Sequence, residues 1–213
     1  MKKIVTLCIC LSLFIGLFSQ DEQYIALMKE SIDIMDKASN IYQLQQAANQ
    51  FERIGEAMQN RWLPYYYSAY SYVQISHIET SDKRRDLYID KAVELNDKAE
   101  TYSSENSEIY VMKGFILQAR MDVDPMVRGL KYNKKCLKMF EKAKELDPEN
   151  PRSYLWHGVN LFNTPSFMGG GKDKARPLLE NACEKFHNYH LPSPIDPNWG
   201  EKYAEEILNK CKE

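Results

Sequence analysis

The fold is most clearly indicated by residues 142–158, KAKELDPENPRSYLWHG. This stretch ends one predicted helix, passes through a turn with two prolines, and begins the next helix. The stretch 98-KAETYSSENSEIYVMKG-114 has the same pattern 44 residues earlier, with Lys-Ala, Glu-Asn, Tyr and Gly in register without a gap. A fixed period of this kind indicates helical hairpins that stack on one another. The chain is therefore predicted to be a helical repeat protein.

The period extends over most of the chain. Five positions at steps of 4, 3, 4 and 3 residues, which form one face of an α-helix, occur three times at this offset. The three sets are Leu44, Ala48, Phe51, Gly55 and Met58; Tyr88, Ala92, Leu95, Ala99 and Tyr102; and Tyr132, Cys136, Met139, Ala143 and Leu146. Small side chains beside large ones allow facing helices to approach closely. Nine helices are predicted. The last starts near Trp199, carries Tyr203 and Ile207 on one face, and caps the stack with a polar outer surface.

Residues 1–19 have the pattern of a secretory signal peptide. A basic start, Met1-Lys2-Lys3, precedes a largely apolar run of 15 residues from Ile4 to Phe18, and polar residues follow. The apolar run is shorter than the roughly 20 residues that span a bilayer. We expect cleavage after Ser19, before Gln20, which leaves a repeat domain of residues 20–213 that is exported to the periplasm or the cell exterior. An uncleaved anchor is the alternative.

The mature composition excludes several classes of protein. Loss of Lys2 and Lys3 leaves 26 basic and 30 acidic residues, and no basic stripe indicates a nucleic-acid partner. No stable membrane insertion is expected after cleavage. The three remaining cysteines, Cys136, Cys183 and Cys211, are an odd number without close spacing and do not indicate a disulfide framework. The fold must therefore be held by packing.

The turn Leu146–Pro151 and the small residues of the helix pairs resemble the tetratricopeptide repeat family. The resemblance implies an all-α, right-handed α-solenoid of stacked antiparallel hairpins whose first helices line a concave surface that binds proteins or peptides. The period of 44 residues departs from the family's usual length of about 34. We expect the additional residues in the connections within each hairpin, at 77–86, 120–129 and 163–172.

The resemblance also implies positions in the concave groove. They are Tyr67, Gln74, Glu108, Phe115, Gln118, Arg152 and Phe162. Glutamine amides can hydrogen-bond a peptide backbone in either direction, and aromatic rings offer contact area at low entropic cost. The main hypothesis is therefore an exported, non-catalytic scaffold that binds a protein or peptide. The alternative is a carrier that holds an apolar small ligand among Tyr67, Phe115 and Phe162, which a groove open at both ends would count against.

Other chemical patterns favour structural roles. Gly169-Gly170-Gly171 precedes a helix, but no strand comes before it, so we predict a tight turn rather than a phosphate loop. The spacing of Cys183, His187 and His190 is compatible with zinc on a continuous helix, but no fourth ligand is evident. No catalytic set occurs, so neither an enzyme nor a cofactor is expected.

The tyrosine-rich stretch 62–72 has an unusual composition. Five tyrosines within eight residues of a helix must point in several directions. We predict that Tyr66 and Tyr70 pack in the core, while Tyr65, Tyr67 and Tyr72 either pack or form an aromatic binding surface. The oligomeric state does not follow from any of these patterns.

Overall fold

The computed structural model of the protein describes residues 20–213, so the predicted signal peptide lies outside the described residues. Within this range the regular structure consists of nine α-helices and one short 3₁₀ helix, without a strand. The helices are α1 (20–36), α2 (Ile41–Ala57), α3 (Leu63–Ile78), α4 (Asp82–Tyr102), α5 (Ser107–Val123), α6 (Pro125–Leu146), α7 (Pro151–Asn163), α8 (Lys172–Asn188) and α9 (Glu201–Lys212). The prediction of an all-α fold is confirmed.

The helices pack as a stack of hairpins. The most extensive contacts join α3 to α4, α5 to α6 and α7 to α8, and each pair is an antiparallel hairpin. The first helices of successive hairpins also touch, α3 with α5 and α5 with α7, so these three form one inner layer. Helix α2 packs on α3 at one end of the stack, and α9 packs on α8 and α7 at the other. The predicted C-terminal capping helix is thus present.

The repeated turn is held by side-chain caps. Asn150 is extended, and its side chain accepts a hydrogen bond from the Arg152 amide, which begins α7 with Pro151 in the first turn. Asp147 accepts a hydrogen bond from the Glu149 amide in the same turn. Proline suits the first helical position because its missing N–H would have no partner there. The two prolines and the Asn cap therefore end α6 and start α7 within a few residues.

The small residues of the repeat lie where helices meet. A Cβ atom on Gly114 of α5 would overlap the ring of Phe140 on α6. On Gly158 of α7 it would be 2.8 Å from Leu179 Cγ on α8. Both large partners are fully buried. The predicted pairing of small and large residues thus sets the distance between the two helices of a hairpin.

The additional residues of the 44-residue period are not where we predicted them. Only residues 79–81 connect α3 to α4, and only Asp124 separates α5 from α6. The additional length is in the helices, since α4 and α6 have 21 and 22 residues. The prediction of long connections at 77–86 and 120–129 was wrong because no glycine or proline interrupts the start of α4, and Asp124 with Pro125 starts α6 at once.

The third predicted connection does exist. Residues 164–171 contain the 3₁₀ helix Ser166–Met168, followed by Gly169 and Gly171 with φ of 97° and 103°. Positive φ is accessible to glycine without the steric cost other residues carry. The predicted glycine turn is confirmed.

Residues 189–200 form a non-helical segment, as the three prolines at 192, 194 and 197 predicted. We call it the C-terminal segment. It lies against the inner layer, where Ile195 is buried and its carbonyl accepts a hydrogen bond from Tyr67 Oη at 3.0 Å. Gly200, with φ of 111°, then starts α9. Among the described residues, no helix combines the length and apolar character that a membrane span requires.

Candidate functional site

A cavity of about 760 Å³ lies between the inner layer and the start of α9. Each inner helix contributes one face at steps of three and four residues. These faces are Tyr70, Gln74 and His77 of α3; Phe115, Gln118 and Asp122 of α5; and Trp156, Val159 and Asn163 of α7. Asp36 and residues 198–203 complete the wall. The cavity is therefore built partly from the repeat and partly from the non-repeating C-terminal end.

Aromatic rings dominate one side of the cavity. Phe115 is central, with its ring centroid 4.0 Å from that of Trp156 and 6.0 Å from those of Tyr70 and Trp199. Tyr70 stacks on Trp199 at 4.6 Å, and Tyr203 lies 5.6 Å from Trp156. Rings at such distances present flat apolar faces together with polar edges. A flat, largely apolar ligand would suit this wall.

Three buried polar atoms of the lining have no hydrogen-bond partner among residues 20–213. They are Oε1 of Gln118 and the indole Nε1 atoms of Trp156 and Trp199. Buried polar groups in folded proteins are nearly always hydrogen-bonded, so each such atom calls for a partner. One acceptor and two donors of the lining residues are therefore buried without a partner in the described part of the chain.

Two titratable side chains lie at the outer end of the cavity. Reduced solvation, and secondarily the charge of Arg85, lower the pKa of His77, so its imidazole is neutral near pH 7. Reduced solvation raises the pKa of Asp122, which the same arginine partly opposes. Both side chains keep part of their surface in solvent. No side chain of the described residues hydrogen-bonds the ring of His77, which lines the cavity.

A buried polar cluster lies next to the cavity, under the C-terminal segment. Glu108 accepts hydrogen bonds from Arg152 Nε at 2.8 Å, from Tyr66 Oη at 2.8 Å and from Asn150 Nδ2 at 2.7 Å. Arg152 is fully buried, and its Nη1 donates to the carbonyl of Trp199 at 3.4 Å. The cluster thus connects all three inner helices to the segment that brings Trp199 into the cavity.

The structure separates the seven residues that the sequence assigned to a groove. Gln74, Phe115 and Gln118 line the cavity together. Tyr67, Glu108 and Arg152 are buried under the C-terminal segment, and Phe162 is partly buried against the core without lining the cavity. The resemblance placed Tyr67, Glu108 and Arg152 on the concave surface, but the C-terminal segment covers that part of the surface. A binding role for these seven residues stays a prediction.

Sequence reasoning missed most of the cavity lining. Tyr70 packs against the core as predicted, and its ring also lines the cavity and stacks on Trp199. His77 and Asp122 follow at helical spacing from the predicted residues Gln74 and Gln118, so the face could have been extended by one turn. The sequence pattern was a weaker guide to the lining residues on α7, in the C-terminal segment and on α9. Among them are Trp156, Val159, Asn163, Trp199 and Tyr203.

The zinc pattern considered from the sequence is not assembled. Helix α8 ends at Asn188, so His190 does not share a helix with Cys183 and His187. No group of three histidine, cysteine or acidic side chains within the described part of the chain is arranged to hold a metal ion.

One solved structure relates this fold to a protein of known role. The chain is similar to the HusA haemophore from Porphyromonas gingivalis, with 28% sequence identity, 89% of this chain and 92% of that chain covered, and a TM-score of 0.81. No protein-family model matches the chain, and no curated protein matches it. The likeness to the tetratricopeptide family is therefore supported as a stack of helical hairpins and not as family membership.

Proposed function

We propose that this protein is an exported, non-catalytic carrier that binds a planar aromatic ligand of the haem class in the 760 Å³ cavity. One observation carries the proposal: the rings of Tyr70, Phe115, Trp156, Trp199 and Tyr203 together form one side of a single cavity. Its volume is within the range of about 300–1,000 Å³ found for small-molecule sites. The alternative inferred from the sequence, a small-ligand carrier, thus becomes the main proposal.

The likeness to a haemophore supports the choice of ligand class. It covers 89% of this chain and 92% of that chain. Aromatic walls bind flat conjugated rings by stacking and by exclusion of water. Export follows from the predicted signal peptide, which would place the carrier where free ligand is collected.

His77 gives the proposal an iron-specific element. A neutral imidazole is the commonest protein ligand for transition metals. The His77 ring lies 5.7 Å from the Phe115 ring, so it faces the same space as the aromatic wall. We assign His77 as the side chain that would contact haem iron, while the aromatic rings would contact the macrocycle.

The ligand's carboxylates have donors in the lining. The indole N–H groups of Trp156 and Trp199 are buried and without partners in residues 20–213, and Lys202 adds a positive charge. Asp36, Asp122 and Glu201 oppose it with negative charge. Affinity for an anionic ligand should therefore depend on the protonation of Asp122, whose pKa is raised by reduced solvation.

The first test is a titration of residues 20–213 with haem, followed by absorbance and by quenching of tryptophan emission. We expect one saturable site. Tyr203→Ala should weaken binding about tenfold, since it removes one aromatic contact. Tyr42→Ala is the matched control, because Tyr42 is an exposed tyrosine on α2 outside the cavity. Absence of saturable binding, or equal loss in both variants, would contradict the proposal.

A second comparison isolates His77. We expect His77→Ala to weaken haem binding and to change the visible spectrum of the complex, while binding of iron-free protoporphyrin stays unchanged. His187→Ala, an exposed histidine on α8, is the matched control. Equal affinity of the parent and His77→Ala for haem would remove the iron contact but leave the aromatic cavity as proposed.

A peptide-binding scaffold remains the second candidate because of one observation. Gln74 and Gln118, which are one period apart, line the same cavity and could hydrogen-bond an extended backbone. The C-terminal segment covers Tyr67 and Arg152, which shortens the surface that a peptide could follow. A protein partner that is retained by the ligand-free protein and lost in Gln74→Ala/Gln118→Ala would favour the scaffold.

A further inference from the structure

An exposed apolar surface lies at the tips of two hairpins, outside the cavity. It consists of Met126, Val127, Leu130, Phe167 and Met168, which expose 88%, 67%, 76%, 90% and 49% of their surface. We call these five residues the tip patch. Single exposed apolar residues are common, but a contiguous group of large ones marks an interaction surface.

The fold holds the tip patch in place. Asp124 caps α6 by accepting a hydrogen bond from the Val127 amide, so Met126, Val127 and Leu130 lie on the first two turns of a long helix. Phe167 and Met168 lie on the 3₁₀ helix, which the glycine turn fixes. A groove of about 640 Å³ separates the two tips. The exposed side chains therefore project from ordered backbone.

Five exposed lysines follow the tip-patch residues in sequence, on the N-terminal halves of α6 and α8. They are Lys131, Lys134, Lys135, Lys172 and Lys174. All five are exposed, and none forms an ion pair with an acidic side chain of residues 20–213. Lys134 lines the groove itself, and Lys174 donates to the carbonyl of Gly169 beside Met168. Residues 122–135 and 164–174, which carry the tip patch and the five lysines, contain only three acids, Asp122, Asp124 and Asp173. Positive charge is therefore in excess in these two stretches.

The neighbouring arginines are engaged inside the fold. Arg128 forms a two-pronged ion pair with Asp86 at 2.6 and 2.8 Å, and Arg176 donates to the carbonyl of Cys211. Protein–protein interfaces are enriched in arginine and depleted in lysine. The cations beside the tip patch that form no ion pair are lysines, so the amino-acid composition of this surface differs from that of a typical protein–protein interface. A second copy of the chain would place like charges opposite one another.

We propose that the tip patch docks the protein on the surface of a lipid bilayer that contains anionic lipids. Apolar side chains on one surface with lysines around them are typical of segments that lie at the headgroup level. Each lysine near an anionic surface adds attraction that falls off within a Debye length. Docking of this kind is reversible and requires no membrane-spanning helix.

The position of the tip patch gives the docking a consequence. Gln118, Asp122 and Asn163 line both the groove of the tip patch and the 760 Å³ cavity. A docked molecule would therefore hold the outer end of its cavity near the bilayer. Docking itself does not depend on the proposed ligand, so its test uses ligand-free protein.

The test is co-flotation of residues 20–213 with vesicles of phosphatidylcholine, with and without phosphatidylglycerol. We expect the parent to float with the anionic vesicles at low salt and to dissociate at high salt. Met126→Ser/Leu130→Ser/Phe167→Ser should reduce the bound fraction at least about tenfold, because three large side chains no longer insert. These side chains are exposed, so the helical content should be unchanged.

Two controls make the result specific. Tyr42→Ser removes an exposed apolar residue on α2 and should bind vesicles like the parent. Lys131→Gln/Lys134→Gln/Lys135→Gln should lose the preference for anionic vesicles. Failure of the parent to float, equal flotation of the serine variant, or equal binding to neutral vesicles would overturn the proposal. A protein ligand for the tip patch without vesicle binding would overturn it as well.

Discussion

Replacement of Glu108 by glutamine tests whether the buried polar cluster holds the inner layer together. Glu108 is the acceptor of three hydrogen bonds, and its charge balances that of Arg152, which has no exposed surface. Glutamine has nearly the same shape but leaves the guanidinium without its counter-charge. Loss of one partner of a buried ion pair costs about 3–5 kcal/mol. For a protein with about 5–15 kcal/mol of total stability, the loss is a large fraction.

The assay is urea denaturation followed by far-ultraviolet circular dichroism. With a slope of about 2–3 kcal/mol per molar urea, the midpoint should fall by about 1–2 M. Glu105→Gln is the matched control, since Glu105 is exposed three residues earlier and should change stability by less than about 0.5 kcal/mol. Arg152→Met in the Glu108→Gln background should recover part of the loss, because it removes the unpaired charge.

Either of two results would refute this reasoning. A loss below about 1 kcal/mol in Glu108→Gln would mean that the charge of Arg152 is balanced without Glu108. The ring of Tyr189, 5.0 Å from the guanidinium carbon, is then the nearest alternative. Failure of Arg152→Met to recover any stability in the double variant would contradict the role of the unpaired charge in the same way.

Three further predictions follow from packing and protonation. Gly114→Ala should cost about 1–3 kcal/mol in denaturation experiments, because its methyl meets the facing ring, while Gly129→Ala, in open space on α6, should be neutral or stabilising. Reduced solvation raises the pKa of Asp122 from 3.8 to about 6, so the side chain is mostly neutral at pH 5 and mostly charged at pH 7. Loss of this negative charge should make haem binding about threefold to tenfold stronger at pH 5 than at pH 7. Titrations of Asp122→Asn at the two pH values should show most of that difference lost. Burial raises the pKa of the Cys136 thiol, so Cys136 should resist alkylation in the native protein. The half-buried Cys183 should react first, and mass spectrometry of the alkylated protein would identify the order.

The sequence predicted the stack because packing within it is local and periodic. Each hairpin buries its own small-to-large contacts, such as Gly114 with Phe140, and each turn carries its own cap, such as Asn150. Such features repeat at 44 residues and need no knowledge of distant parts of the chain. The lengths of α4 and α6 were missed because the expected loops were drawn from a family with shorter repeats. No glycine or proline interrupts the start of α4, and the Asp124 cap and Pro125 that begin α6 follow α5 directly.

The cavity could be predicted only in part for a related physical reason. Gln74, Phe115 and Gln118 lie on repeat helices, so the repeat placed them on one surface. Trp199 comes from outside the repeat and reaches Tyr70 across a separation of more than one hundred residues. No local pattern fixes such a contact, which depends on the path of the C-terminal segment. The burial of Tyr67 and Arg152 depends on the same path.

The end of the repeat shortens the groove that the inner layer would otherwise form. A stack of α3, α5 and α7 alone would present a continuous concave surface suited to an extended chain. The C-terminal segment crosses that surface, held by Tyr67 Oη on the carbonyl of Ile195 and by Arg152 on the carbonyl of Trp199. It covers the polar part of the groove and adds an aromatic ring beside Phe115. The remaining space is short, aromatic and bounded on several sides, which favours a compact flat ligand over a peptide.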